Sequence, residues 1–378
     1  MLANLLFFAS IHVLVAPWPM YIESIGGLPR DVGLTTAAFS LTAVLARPVV
    51  GRLADRWGRR ETLLVGLSLF TVVPLTYSVL RTVPALVIVR MVHGVGIAAF
   101  TTAYTVFTAE MVTAGRRGEA LGLAGTAPSL SLMIWPPAGM PILERFGFQP
   151  LFLLAALLGG FGLLLGLALP SRSLATDDNP GLATEHMPFG SVLRQRSVWV
   201  PTLTMFALGV AFGSVFTFLP LFTEERGMGN AGLFFSAYAL SYAVARVPAG
   251  RLSDRWGYRR VAIPALLLLA LAFGLLAFAA RLPVLLTEGV VLGVAMGSVR
   301  VVLDAMAVNE SSPAARGTAV SVMYAGFDLG IGIGSVLLGL WAERVGYGGM
   351  FVTVGLVSLV GMLAFAILTR PVAVRRSA

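Results

Sequence analysis

Seven ionisable side chains sit inside stretches that are otherwise as apolar as lipid: Arg47, Arg90, Arg246, Glu288, Arg300, Asp304 and Asp328. A charge in hydrocarbon is costly unless it is wet, paired or buried in protein, so each marks a place where an ion or polar solute could be held or passed on. Arg300 and Asp304 are four residues apart on one helical face, and read equally as a mutually neutralised structural pair and as part of a pathway. Asp328, in "GFDLGIGIGS", has no basic residue three or four positions away and is the best lone carboxylate of the chain. It could take up and give back a proton as a cavity opens to either side; the competing reading is a hydrogen bond to a polar neighbour on an adjacent helix. Arg90 needs a wet cavity or an acid opposite it, with a buried structural pair as the competing reading. Glu288 lies near the outer end of its segment, where decoration of the lipid interface competes with a pathway role. Arg47 and Arg246 lie one turn from charged loops and are expected to snorkel toward them or support them. Glu23 and Glu224, at outer segment ends, suit an extracellular gate better than a central site. His12 and His93 read as packing or hydrogen-bonding residues, and three histidines without a cysteine form no metal-ligand cluster. Trp18, Tyr21, Tyr104, Trp135, Phe216 and Tyr324 are candidate walls for an apolar or amphipathic cargo, while Trp199 and Trp341 read as interface anchors.

Only helices that cross a bilayer can position this set. The chain has 378 residues, 57% of them hydrophobic and 12% charged, with a mean hydropathy of +0.87. Twelve long apolar segments are expected at 2–22, 33–54, 61–80, 84–111, 119–142, 149–170, 197–222, 230–252, 260–280, 283–309, 316–341 and 348–369. Each is long enough to cross a hydrocarbon core of about 30 Å, and such a span must be helical because its amides find no other partner. The net charge is +9 and all 27 basic residues are arginine. With the N-terminus in the cytoplasm, about seventeen of them fall on that side and about six on the other. This asymmetry predicts that both termini are cytoplasmic, and it assigns the positive charge to membrane orientation rather than to nucleic acid. Without cysteine no disulfide or thiolate chemistry is available. The first segment has no charge before it and no convincing small-residue cleavage site, so it is expected to be a retained helix.

Self-comparison organises the chain. A shift of 199 residues lays "ARPVVGRLADRWG" (46–58) on "ARVPAGRLSDRWG" (245–257) and also matches Pro84 with Pro283 and Gly94 with Gly293. The chain is a duplicated six-helix unit, and an even helix number makes the copies parallel repeats. The expected division is 1–170, a polar cytoplasmic linker at 171–196, and 197–378. The repeated decapeptides "GRLADRWGRR" (51–60) and "GRLSDRWGYR" (250–259) fall in short loops after the second and eighth segments. Gly51, Gly58, Gly250 and Gly257 suit close helix approach and tight turns. Arg56, Arg59, Arg60, Arg255 and Arg259 could simply hold the loops inside. Asp55, matched by Asp254, opposes the macrodipole of its own helix and requires compensation. Arg59, Arg60, Arg116, Arg117 or the helix start near Gly317 could supply it, and the motif would then act as a cytoplasmic latch between the halves. Arg90 has a glycine, Gly289, as its counterpart, so it is no symmetric scaffold residue.

"GRLADRWGRR" resembles the loop signature of the major facilitator superfamily, and the resemblance covers all twelve segments. It implies an all-α integral membrane fold of two six-helix parallel-repeat bundles and an alternating-access mechanism. "RMVHGVGIAA" (90–99) resembles the superfamily's R-x-x-x-G-x-G motif, which in proton-coupled members places an arginine near the coupling carboxylates. "WPPAGM" (135–140) matches the antiporters' fifth-helix motif only at Pro136 and Gly139. The expected function is proton-coupled efflux of a small amphipathic molecule (drug-like compound, sugar or metabolite), with Asp304 or Asp328 carrying the proton and Arg90 responding to it. A proton-coupled importer or uniporter of a small organic solute, possibly anionic, is the alternative. A membrane-embedded enzyme finds no support, since G-x-S-x-G, H-E-x-x-H and a phosphate loop do not occur. The expected partners are a small-molecule substrate, protons and the lipid bilayer, with no cofactor, no metal and no nucleic acid. A monomer in the bacterial cytoplasmic membrane is expected.

Overall fold

The structure, a computed structural model, describes residues 1–113, 116–170, 195–311 and 316–370. Residues 171–194 of the expected linker, the arginines at 375 and 376, and the side chains at Arg117 and Gly317 lie outside the described residues.

The elements are α1 (Leu2–His12), α2 (Pro17–Ser24), α3 (Pro29–Trp57), α4 (Arg59–Tyr77), α5 (Val83–Glu110), α6 (Arg117–Phe146), α7 (Phe148–Leu167), α8 (Arg196–Glu225), α9 (Gly232–Trp256), α10 (Tyr258–Leu276), α11 (Leu282–Asn309) and α12 (Arg316–Leu368). Eight stretches among the described residues are long and apolar enough to cross a membrane. Two details depart from one helix per segment. The first span is split at residues 13–16, because Pro17 opens α2 and gives its first turn no amide to pair. The last two spans form one element, α12, broken only at Gly346 with φ 70° and ψ 170°. With α1 and α2 as one crossing and α12 as two, the chain makes twelve spans in two six-helix bundles.

Local chemistry sets the ends. Pro29, Pro84 and Pro283 sit in the first turn of α3, α5 and α11, where a missing N–H costs nothing. The Asp31 carboxylate accepts the Leu28 N–H at 2.8 Å and secures the start of α3. Gly58 (φ 112°, ψ 152°) and Gly257 (φ 87°, ψ 152°) turn the chain between α3 and α4 and between α9 and α10. A side chain is strained there, which explains the second glycine of each decapeptide.

Within the bundles α8 packs along α12, α9 along α11, and α3 and α4 along α5. Between them, α3 packs on residues 316–345 of α12 and α6 packs on α9. These two seams are equivalent under the 199-residue repeat, so they define the pseudo-two-fold axis along the membrane normal. The decapeptide turns lie on one face, called the motif face; the other is the opposite face.

The seams are tight toward the opposite face. A Cβ at Gly339 would meet the Pro29 carbonyl oxygen at 2.7 Å, and those at Gly33 and Gly232 would overlap Ser335 and Pro136 backbone. Asn230 Nδ2 donates to Pro137 O at 3.0 Å and Ser236 Oγ to Met133 O at 2.6 Å, tying α9 to α6. At the rim Arg30 reaches Glu343 across the bundles, its backbone N–H at 3.2 Å and its guanidinium at 3.7 Å. Toward the motif face the packing loosens: Gly122 and Gly125 of α6 have nothing within 4 Å of an added Cβ, and Leu123 is 54% exposed. Among the described residues the seams are sealed toward the opposite face and looser toward the motif face.

Candidate functional site

A cavity of about 200 Å³ lies at mid-depth between the bundles. The N-terminal bundle contributes His12, Pro128 and Ser129; the C-terminal bundle contributes Phe212, Phe216, Tyr238, Tyr242, Phe327 and Arg300. Much of the wall on the C-terminal side is aromatic because α8 and α9 carry rings at helical spacing. Phe212 and Phe216, one turn apart, stack with centroids 3.9 Å apart.

Arg300 is the cation of this cavity. Its Cζ lies 4.5 Å from the Tyr324 ring centroid and 4.7 Å from that of Phe327, both on α12. Ring quadrupoles replace part of the hydration the guanidinium gave up. Asp304, one turn along α11, lies 3.8 Å from Arg300 Nε and accepts the Tyr324 hydroxyl at 3.0 Å. Arg246 of α9 approaches the other carboxylate oxygen at 3.9 Å. The cluster holds two guanidiniums and one carboxylate. The sequence suggested the Arg300–Asp304 pair, whereas Arg246 and Tyr324 join it from other helices.

Asp328 is not alone. Its carboxylate is ion-paired with Arg47 of α3, 281 positions away in sequence, across the α3–α12 seam. A search at three and four residues within one helix cannot find such a partner. Arg47 therefore neither snorkels nor reaches the loop in this conformation.

Arg90 is buried in the N-terminal bundle, and no acid forms an ion pair with it among the described residues. Its Cζ lies 4.6 Å from the ring centroids of both Trp18 and Phe39, and its Nε has no hydrogen-bond partner. Tyr77 and His93, joined at 2.8 Å between the hydroxyl and Nδ1, close the pocket. The structure does not bring Arg90 to Asp304 or Asp328. Glu288 is buried at 7% exposure with Oε2 unpartnered, so the interface-decoration reading is corrected: its face of α11 packs into protein. His12, read from sequence as a packing residue, lines the cavity and pairs its Nδ1 with Ser131 Oγ at 2.9 Å. Of the candidate wall aromatics, Phe216 lines the cavity and Tyr324 stacks on Arg300, while Trp18 and Tyr21 are buried in the N-terminal bundle.

On the motif face Asp55 is compensated within its own bundle by Arg59 at 3.2 Å. Arg59 also donates to Glu110 at 3.0 Å and to Ala54 O at 3.1 Å. Arg60 caps the end of α7 through Leu167 O and Leu169 O. Asp254 and Arg255 make no ion pair among the described residues, and no Cβ contact awaits at Gly51, so its lack of a side chain is unused in this state. On the opposite face Glu23, Glu224 and Glu144 line a recess of about 710 Å³ above the sealed seams.

Two repeated bundles closed at one face over a central charged cavity have the build of a membrane transporter, not of an enzyme. The chain belongs to the Major Facilitator Superfamily, whose family model matches residues 1–235 and 229–378. It is 22% identical over 370 residues to the Staphylopine export protein of Staphylococcus aureus, covering 95% of this chain and 92% of that one. It is 29% identical over 275 residues to the Tetracycline resistance protein, class C, of Escherichia coli, covering 68% of each. The solved structure of the nucleoside transporter NupG superposes with a TM-score of 0.80 at 14% identity, covering 98% of both chains.

Proposed function

We propose that this chain is a proton-coupled exporter of a small amphipathic molecule, working as a monomer by alternating access in a bacterial cytoplasmic membrane. The division at 1–170, 171–196 and 197–378 makes the bundles the rocking units. The motif face is the cytoplasmic one, with both termini on it, as the arginine asymmetry supports. The cavity is then open to the cytoplasm and sealed outside, the state in which an exporter loads.

The observation that carries this reading is the aromatic cavity ending on Arg300, Asp304 and Tyr324. Its rings suit the apolar part of a cargo and its polar edge suits a proton exchange. Asp304 is the proposed proton carrier. A proton on Asp304 removes the one negative charge of the cluster and leaves Arg300 and Arg246 uncompensated, so protonation and cargo binding are coupled through the same side chains. Asp328 and Arg47 hold the seam, Glu23 and Glu224 belong to the outer recess, and Asp55 with its arginines is the unfastened latch. The export and resistance roles named for the relatives support the direction.

The test is transport by purified protein in vesicles with an imposed proton gradient. Cargo should move against the proton flow in wild type, and Asp304→Asn should abolish gradient-driven accumulation while cargo still binds. Transport indifferent to the gradient, or an unimpaired Asp304→Asn, refutes proton coupling at this residue. The excess positive charge of the cluster favours one second reading, uptake of an organic anion. Vesicles of known orientation separate the two by the sign of net flux.

A further inference from the structure

A second built site lies on the motif face of the C-terminal bundle. Arg196, Arg259, Arg260, Arg370 and Glu310 line a recess of about 760 Å³ at the start of α8 and α10 and the ends of α11 and α12. Four guanidiniums face one carboxylate. Burial pushes the Glu310 carboxyl up from its ordinary range, with Arg196 drawing it partly back, and even fully ionised this one carboxylate leaves three of the four guanidiniums uncompensated.

The repeat shows what is missing here. In the N-terminal bundle the corresponding arginine, Arg60, is spent on two carbonyls at the end of α7, and Glu61 supplies the first turn of α4 with an acid. Position 260, the counterpart of Glu61, is arginine. α10 and α8 have no acidic residue in the first turn and no side-chain cap, so two positive helix ends join the arginines. Arg259, Arg260 and Arg370 form no ion pair with any described residue. The recess calls for an anion from outside the bundle.

The neighbouring surface says which kind. An apolar groove of about 920 Å³ between α9, α10 and α11 adjoins the recess and shares Trp256 and Arg260 with it. Leu240, Val244, Leu268 and Val290 are exposed along it. A free phosphate has no use for such a groove, whereas an acyl chain fills it and leaves its headgroup beside Trp256, an aromatic placed at interface depth. We propose that this recess and groove bind one anionic phospholipid, phosphate on Arg259 and Arg260, acyl chain between α9 and α11, which couples the stability of the C-terminal bundle to membrane charge. The site is remote from the central cavity and independent of which cargo is carried.

The test is the melting temperature of the full chain in detergent micelles doped with phosphatidylglycerol or phosphatidylcholine. A ligand bound only by the folded protein raises it. The expected result is a rise with phosphatidylglycerol alone, lost in Arg259→Gln/Arg260→Gln, which should melt like wild type in phosphatidylcholine. Arg281→Gln, on the opposite face, should keep the whole rise. Native mass spectrometry should show at least a tenfold loss of phosphatidylglycerol affinity in the double variant. A double variant that keeps the rise overturns the proposal. An equal rise with inorganic phosphate or glycerol phosphate makes the recess a free-anion site. A rise that appears only after neutralising Asp177, Asp178 and Glu185 makes the chain's own linker the occupant.

Discussion

Asp328→Asn removes the charge from the Arg47–Asp328 pair with almost no change of shape, and it should tilt the molecule away from the conformation seen here. The side chains are 37% and 20% exposed, between a surface pair and a buried one. Exposed pairs contribute about 0–1 kcal/mol, and breaking a fully buried one costs about 3–5 kcal/mol. A value of about 1–2 kcal/mol follows, which is roughly a five- to thirtyfold shift between the two access states. The expected sign follows from the pair's belonging to the conformation seen here: its loss favours the other access state, in which the opposite face is open. Native cysteine is absent, so Ser335→Cys, nearly isosteric and fully buried where α3 closes on α12, reports that opening by its rate of reaction with a membrane-impermeant maleimide. The rate should rise by about the factor above in Asp328→Asn and in Arg47→Gln, and the double variant should add little, since one interaction cannot be lost twice. Unchanged rates in both single variants, or fully additive rises, would refute the clasp.

Gly339→Val sets a side chain against the Pro29 carbonyl and the Arg30 backbone, so it should favour the opposite-open state, seen as a loss of spin-label proximity between α3 and α12 near that face. Arg300→Lys keeps the charge but loses the planar stack on Tyr324 and Phe327, and cargo affinity measured by calorimetry should fall about tenfold or more. Gly58→Ala forces a side chain into a backbone region it avoids and should cost about 1–3 kcal/mol, read as a lower melting temperature with no change in cargo affinity.

The frame of the molecule was legible because it is periodic. Apolar runs set the spans, and the 199-residue self-match set the two bundles and the seams that relate them. Gly58 and Gly257 were legible as turns because only their backbone conformation is at stake. The site was legible only where partners share a helix, as Arg300 and Asp304 do. Arg47 with Asp328, Arg246 with Asp304, and Arg90 with Trp18 and Phe39 depend on how each helix is rotated about its axis, which hydropathy does not encode in a chain apolar on every side. The interface-decoration alternative for Glu288 failed for the same reason, since distance along a helix says nothing about whether lipid or protein faces it. The break after His12 had a visible cause in Pro17 and Pro19, outweighed by the unbroken apolar run.

The two seams share a geometry but not a chemistry. Under the repeat, Arg47 corresponds to Arg246 and Asp328 to Ser129, so the α6–α9 seam has an arginine and no acid to receive it. Arg246 turns instead to Asp304 within its own bundle, and that seam is joined by neutral hydrogen bonds from Asn230 and Ser236. The molecule is thus a door with a charged hinge on one jamb and a plain latch bolt on the other. Its swing should begin at α6 and α9, sweeping the wall beside Ser129 and His12 first, so that water reaches the cargo from that flank before Arg47 lets go of Asp328.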